Sequence, residues 1–179
     1  MGSAGDRLSR GQLSRYPARV HRFALSFAAL IVAAPLAAKD SLGVFDDWGA
    51  FRDPAVPRCY AIAEADRGSG DYQAYADVGT WPRRNVRGQV HFRVSRRLAK
   101  SPHISLSLGG HRYDLTGGGV DAWAQDKRMD AAIVAALRSA DGMSLSAIDS
   151  AGHRFTDHFS AKGAATAMDA ATVGCARVG

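Results

Sequence analysis

The stretch GQVHFRVSRRLAKSPHISLSLGGHRYDL, Gly88 to Leu115, decides the fold. From Gly88 to Arg97 the alternation is strict: Val90, Phe92 and Val94 fall on one side, and Gln89, His91, Arg93 and Ser95 on the other. A period of two puts one set in a core and the other in water, which is a half-buried strand. Ile104, Leu106 and Leu108 alternate with Ser105 and Ser107 in the same way. Gly109-Gly110 then supplies a two-residue hairpin turn into a further strand, His111 to Leu115.

Downstream, GGGVDAWAQDKRMDAAIVAALR, Gly117 to Arg138, changes the period. A glycine hinge leads to Trp123, Asp126 is a suitable N-cap, and Met129, Ala132, Ile133, Ala136, Leu137 and Ala140 share one helical face. Asp130 and Arg138 are expected to point away from that face. Asp141-Gly142 ends the helix, Met143 to Asp149 resumes strand periodicity, and Ala151-Gly152 turns into a strand from His153 to Ser160. A second helix closes the chain, with Ala164, Met168, Ala171 and Cys175 on one face.

Upstream, Pro54 and Pro57 precede a short strand, Arg58 to Ala65, then a turn at Arg67 to Asp71 and a strand from Gln73 to Val78 reaching Trp81-Pro82. Residues 39–47 read as a linker to the first aromatic anchors, Trp48 and Phe51. About seven short strands with turns between them and two late helices predict a mainly-β chain, an antiparallel β-sandwich with two short helices. A compact α+β sheet covered on one side by the helices is the alternative.

One domain is the natural count for 179 residues. Before it, residues 1–22 carry five arginines and one acid, and the uncharged run FALSFAALIVAAPLAA, Phe23 to Ala38, ends in small residues. Basic, apolar, small is the order of a signal peptide, so 1–38 is read as the leader and 48–179 as the sandwich domain. The run is 16 residues long and contains Pro35, too short for a spanning helix, and the mature chain holds no other candidate. Without the leader, 18 basic residues face 16 acidic ones, so the pI of 9.7 belongs to the precursor and gives no reason to expect a nucleic-acid partner. Two cysteines, Cys59 and Cys175, in an exported chain most simply form one disulfide, with a buried pair of free thiols as the alternative.

Charge is segregated within the mature chain. Arg83, Arg84, Arg87, Arg93, Arg96, Arg97 and Lys100 occur with no acid among them. Such a run either keeps an exposed strand soluble or meets an anionic partner: lipid, envelope polysaccharide or acidic protein. Trp81 beside it would suit a membrane surface or a sugar. Catalytic signals are weak. His91, His103, His111, His153 and His158 show no metal-ligand spacing, so no metal or cofactor is expected. A small hydrolase site around His111 and Asp114, with Ser105 or Ser107 as nucleophile, is the rival reading, although no nucleophile-elbow motif accompanies it.

Trp48, Cys59-Tyr60-Ala61, Arg87-Gly88 through Phe92-Arg93, Tyr113-Asp114-Leu115, the DAWA at Asp121 to Ala124, the helix to Leu137, Gly163-Ala164 and Cys175 follow in an order that resembles the invasion-associated locus B (IalB) family of exported bacterial proteins. The resemblance implies an immunoglobulin-like β-sandwich in the periplasm or at the outer membrane, without enzymatic activity. On it rests the expectation of a non-enzymatic protein that binds or supports an envelope component through a basic face. The family's name carries no function over to this chain.

Overall fold

A computed structural model describes residues 39–66 and 70–176. The order is β1 (Asp40–Phe45), β2 (Trp48–Asp53), β3 (Arg58–Glu64), β4 (Tyr75–Trp81), a 3-10 turn (Pro82–Arg84), β5 (Val86–Arg93), β6 (Ile104–Leu108), β7 (His111–Gly118), β8 (Asp121–Trp123), α1 (Lys127–Leu137), β9 (Gly142–Ile148), β10 (Arg154–Ser160) and α2 (Ala164–Ala176). The fold is mainly β and sandwich-like. The expected leader, residues 1–38, lies outside the described residues.

The strands form one antiparallel sheet in the order β1-β2-β3-β4-β5-β8-β7-β6-β9-β10. Strand β7 joins its two halves: His111 to Leu115 pair with β6, and Thr116 to Gly118 pair with β8. The layers are thus halves of one folded sheet, whereas an immunoglobulin-type sandwich stacks two separate sheets. Alternation sets the inner faces. Ala50, Cys59, Ala61, Ala63, Val78, Val90 and Phe92 line the first half, and Ile104, Leu106, Leu145, Phe155 and Phe159 the second; all are buried. Phe92 meets Phe159 edge-on across the core at 5.8 Å between ring centroids. Polar links close the fold on itself. The buried Trp48 donates from Nε1 to the Ser160 carbonyl at 2.9 Å, and the Ser95 amide donates to the buried Asp157 carboxylate at 2.9 Å.

Helix α2 lies on the inner face of β1 to β4, and α1 lies against β5. Small residues let α2 approach closely: Ala164, Ala167, Ala171 and Gly174 are buried together with Met168 and Cys175. Gly163, ahead of α2, has φ +84°, and a side chain there would run into the Phe45 carbonyl. Cys175 and Cys59 form the expected disulfide, with Cα atoms 5.6 Å apart. It clamps the last helix to β3.

Several expectations need correction. Residues 39–47 are not a linker, because β1 occupies most of them and pairs with β2 through a two-residue turn at Asp46-Asp47. Asp46 takes a left-handed φ of 48°, a conformation usually signalled by glycine or asparagine. The glycine run is strand, not hinge: Gly117 and Gly118 pair with Ala122 and Asp121 in β8. With β1, β2 and β8 added, the described residues hold ten strands, not about seven. Asp126 does cap α1, accepting from the Met129 amide at 2.8 Å. Asp130, however, faces the sheet. Strand β8 pairs with β5 only at His91 to Arg93, and the Asp130 carboxylate accepts from the Val90 amide at 2.8 Å where that pairing stops. Burial, with the nearby Asp126 charge, raises the Asp130 pKa against the lowering effect of that hydrogen bond.

Candidate ligand-binding face

The seven basic residues do not share one surface. Six residues along a strand separate Arg87 from Arg93, about 20 Å at the usual rise. A bulge separates them further, because Arg87 and Gly88 together oppose Thr80 between the Gly79–Gln89 and Trp81–Val86 pairs. Gly88 takes φ +65° there, which a side chain would resist. The bulge turns Arg87 toward the helices, where it lines a cleft with Arg138. Arg93 lies at the other end of β5 with its guanidinium 5.5 Å from the Tyr72 ring centroid. Arg96 pairs with buried Asp149 at 3.3 Å, and Arg97 and Lys100 are exposed beyond it. Asp149 is held below the usual carboxylate range by the His153 amide, then by the Ala151 amide and Arg96.

Only Arg83 and Arg84 stay beside Trp81, and the fold brings a third arginine to them. Arg58, at the start of β3, lines a small cavity with Arg83, and its guanidinium lies 4.2 Å from the Tyr60 ring centroid and 5.6 Å from that of Trp81. Phe51 stacks on Tyr60 at 5.6 Å. Glycines set the attitude of two of these rings. A Cβ on Gly49 would lie 2.7 Å from the Phe51 ring, and one on Gly79 would lie 2.6 Å from the Trp81 ring. Each ring therefore leans back along its own strand over a bare backbone. Both are half-buried and lie low on the outer face of the first half of the sheet. Arg58, Arg83 and Arg84 have no acidic partner among the described residues.

Farther along the same face sits a polar cluster. His91 Nδ1 is 2.9 Å from Asp77 and Nε2 is 3.0 Å from Asp121, with the Trp123 ring 5.2 Å and the Tyr75 ring 5.7 Å from the imidazole. Burial pulls the His91 pKa down, but the two carboxylates outweigh it and hold the imidazole above its ordinary value. The carboxylates occupy opposite ring nitrogens, so the three groups do not converge on a point where a metal could sit. Among the described residues no three or more His, Cys, Asp or Glu side chains are placed so that they could hold a metal ion together.

The residues of the rival hydrolase reading do not assemble. An offset of three on β7 sends His111 and Asp114 to opposite faces. Asp114 is 3.8 Å from His103, both well exposed, and sits across from Ser105. No hydrogen bond joins Ser105 or Ser107 to a histidine among the described residues.

No protein-family model matches the chain, no curated protein matches it, and no solved structure matches it.

Sequence reading found Trp81, Arg83 and Arg84 but missed Arg58, Tyr60 and the Asp77–His91–Asp121 cluster. The local signal for His91 was present, since it lies on the wet side of the Gly88–Arg97 alternation. Its partners come from β4 and β8, and strand register is not written in any one strand.

Proposed function

We propose that this chain is an exported, non-enzymatic envelope protein of the IalB type that binds an anionic polysaccharide at the corner formed by Arg58, Arg83 and Arg84 with Trp81 and Phe51, over the buried Tyr60. The observation that carries the reading is the pairing of guanidinium groups that have no salt-bridge partner among the described residues with rings laid low on an open sheet. Such rings offer apolar faces to the C–H side of a pyranose, and the arginines offer paired donors to its carboxylates or sulfates. The basic-then-apolar leader and the disulfide support export, and no helix among the described residues is long and apolar enough to cross a membrane.

Affinity electrophoresis in alginate, with dextran as the neutral control, tests the reading. The wild type should be retarded by alginate and released by salt, and Arg83→Glu/Arg84→Glu should lose most of the retardation. Equal retardation of mutant and wild type, or equal retardation in dextran, would refute the reading. If anionic vesicles sediment the protein while alginate does not retard it, the partner is a lipid surface instead.

A further inference from the structure

Helices α1 and α2 both cover the inner side of the first half-sheet, but they do not meet along their length. Between them is a cleft of about 360 Å³. Its sides and floor include Val134 of α1, Met168 and Ala171 of α2, and Val78 of β4. Two arginines also line it, Arg87 and Arg138. Arg138 is committed to Asp169 of α2 at 2.7 Å, a bridge from one helix to the other, and that carboxylate holds its pKa above the ordinary value. Arg87 is exposed and has no acidic partner among the described residues. The bulge at Gly88 is what aims it here.

A partly apolar cleft of this size, with one cation that has no acidic partner among the described residues, matches the general form of a small-ligand site. We infer that the cleft binds a single-chain anionic amphiphile, with the acyl chain against Val78, Val134 and Met168 and the acidic head on Arg87. The volume holds about a dozen groups the size of a water or a methylene. That length fits one medium acyl chain, not the two chains of a bilayer phospholipid. Charge selects the head: a neutral or cationic amphiphile leaves the Arg87 guanidinium unmatched, and a carboxylate or phosphate pairs with it. The Phe51 and Trp81 rings of the saccharide corner lie on the other face of the sheet from the cleft, and although the small cavity beside Arg83 shares Pro82 and Cys175 with it, Arg87 is not part of that corner.

Isothermal titration of the oxidised full chain with laurate and with dodecyl phosphate, below their micelle concentrations, tests the inference. Saturable 1:1 binding of at least one is expected, and the tighter of the two identifies the head as carboxylate or phosphate. Arg87→Glu should weaken it about tenfold or more. Val134→Trp, which fills the slot from the half-buried side of α1, should abolish it, and Arg83→Glu/Arg84→Glu should leave it unchanged. Thermal melts of each variant separate loss of the site from loss of the fold. Absence of 1:1 binding by the wild type overturns the inference. So does undiminished binding by a folded Val134→Trp protein, or an equal affinity for neutral dodecyl maltoside.

Discussion

The two halves of the sheet turn very different faces to water. Over the second half the outward positions of β6, β9 and β10 are mostly small and polar, Ser105, Ser107, Ser144, Ser146 and Thr156, with His158, Ile148 and Arg154 toward the strand ends. Over the first half they are Phe51, Tyr60, Tyr75, His91, Trp81 and Arg93. Both faces cover inner layers of similar apolar character, so the core does not require rings on the outside of either. Hydroxyls suffice to keep the second half soluble. The first half carries costlier decoration, and carries it where the disulfide, the bulge and both helices are attached.

Loss of the disulfide is the largest effect expected, and it should be unevenly distributed. The bridge closes a loop across a sequence separation of 116, for which chain entropy gives roughly 4–5 kcal/mol as an upper figure. In Cys59→Ser/Cys175→Ser, amide exchange should quicken most in α2 and β2 to β4, and least in β9 and β10. Uniform quickening would mean that the halves unfold as one unit and that the clamp has no local role.

The Trp81 ring is the next contrast to test. Trp81→Ala should reduce alginate binding by about tenfold while costing about 1–3 kcal/mol in urea unfolding, because the ring is half-buried on the outside of the sheet. Gly79→Ala is the sharper variant. It removes no contact residue, yet its methyl occupies the place of the Trp81 ring, so binding should fall by several-fold as the ring is displaced. Ser107→Ala on the other half should change nothing. A Gly79→Ala protein that binds like the wild type would show that the attitude of the ring is irrelevant.

His91 gives the first half a pH dependence. Its folded pKa lies above the unfolded value near 6.5, so its pairing with Asp77 and Asp121 contributes fully below about pH 6.5. The contribution fades as pH rises through the higher folded value. Stability of the wild type relative to His91→Gln should therefore decline from pH 6 to pH 8, with a smaller span than the two effects above. A difference that stays flat over this interval would show that the two carboxylates do not favour the imidazolium.

How much of this was legible follows from the range of each signal. Strand periodicity around Val90, Phe92, Ile104 and Leu106 is local, and the sequence predicts those strands to within a few residues of where they lie. The capping by Asp126 and the α2 face from Ala164 to Cys175 are equally local. Strand β1 was hidden because its turn uses Asp46-Asp47 in place of a glycine signal, and β8 because it has only three residues after a glycine run. The basic run was legible as composition and misleading as geometry. One bulged residue at Gly88 sends Arg87 to the opposite side of the sheet from Arg93, and the third arginine of the corner, Arg58, is distant in sequence. The first cannot be read without the register of β4 on β5, nor the second without that of β3 on β4.

The smallest effect expected tests whether the second half is as plain as its composition suggests. Ser146 and Thr156 face each other across β9 and β10 with their hydroxyl oxygens 2.9 Å apart, and the pair is exposed. Water replaces such a bond at little cost, so Ser146→Ala should shift unfolding by about 0.5 kcal/mol or less and leave alginate and laurate binding intact. A larger loss of stability would mean that the hydroxyl ladder holds β10 in register. A loss of binding would mean that the hydroxyl face also meets a partner, and the division of labour between the two halves would have to be abandoned.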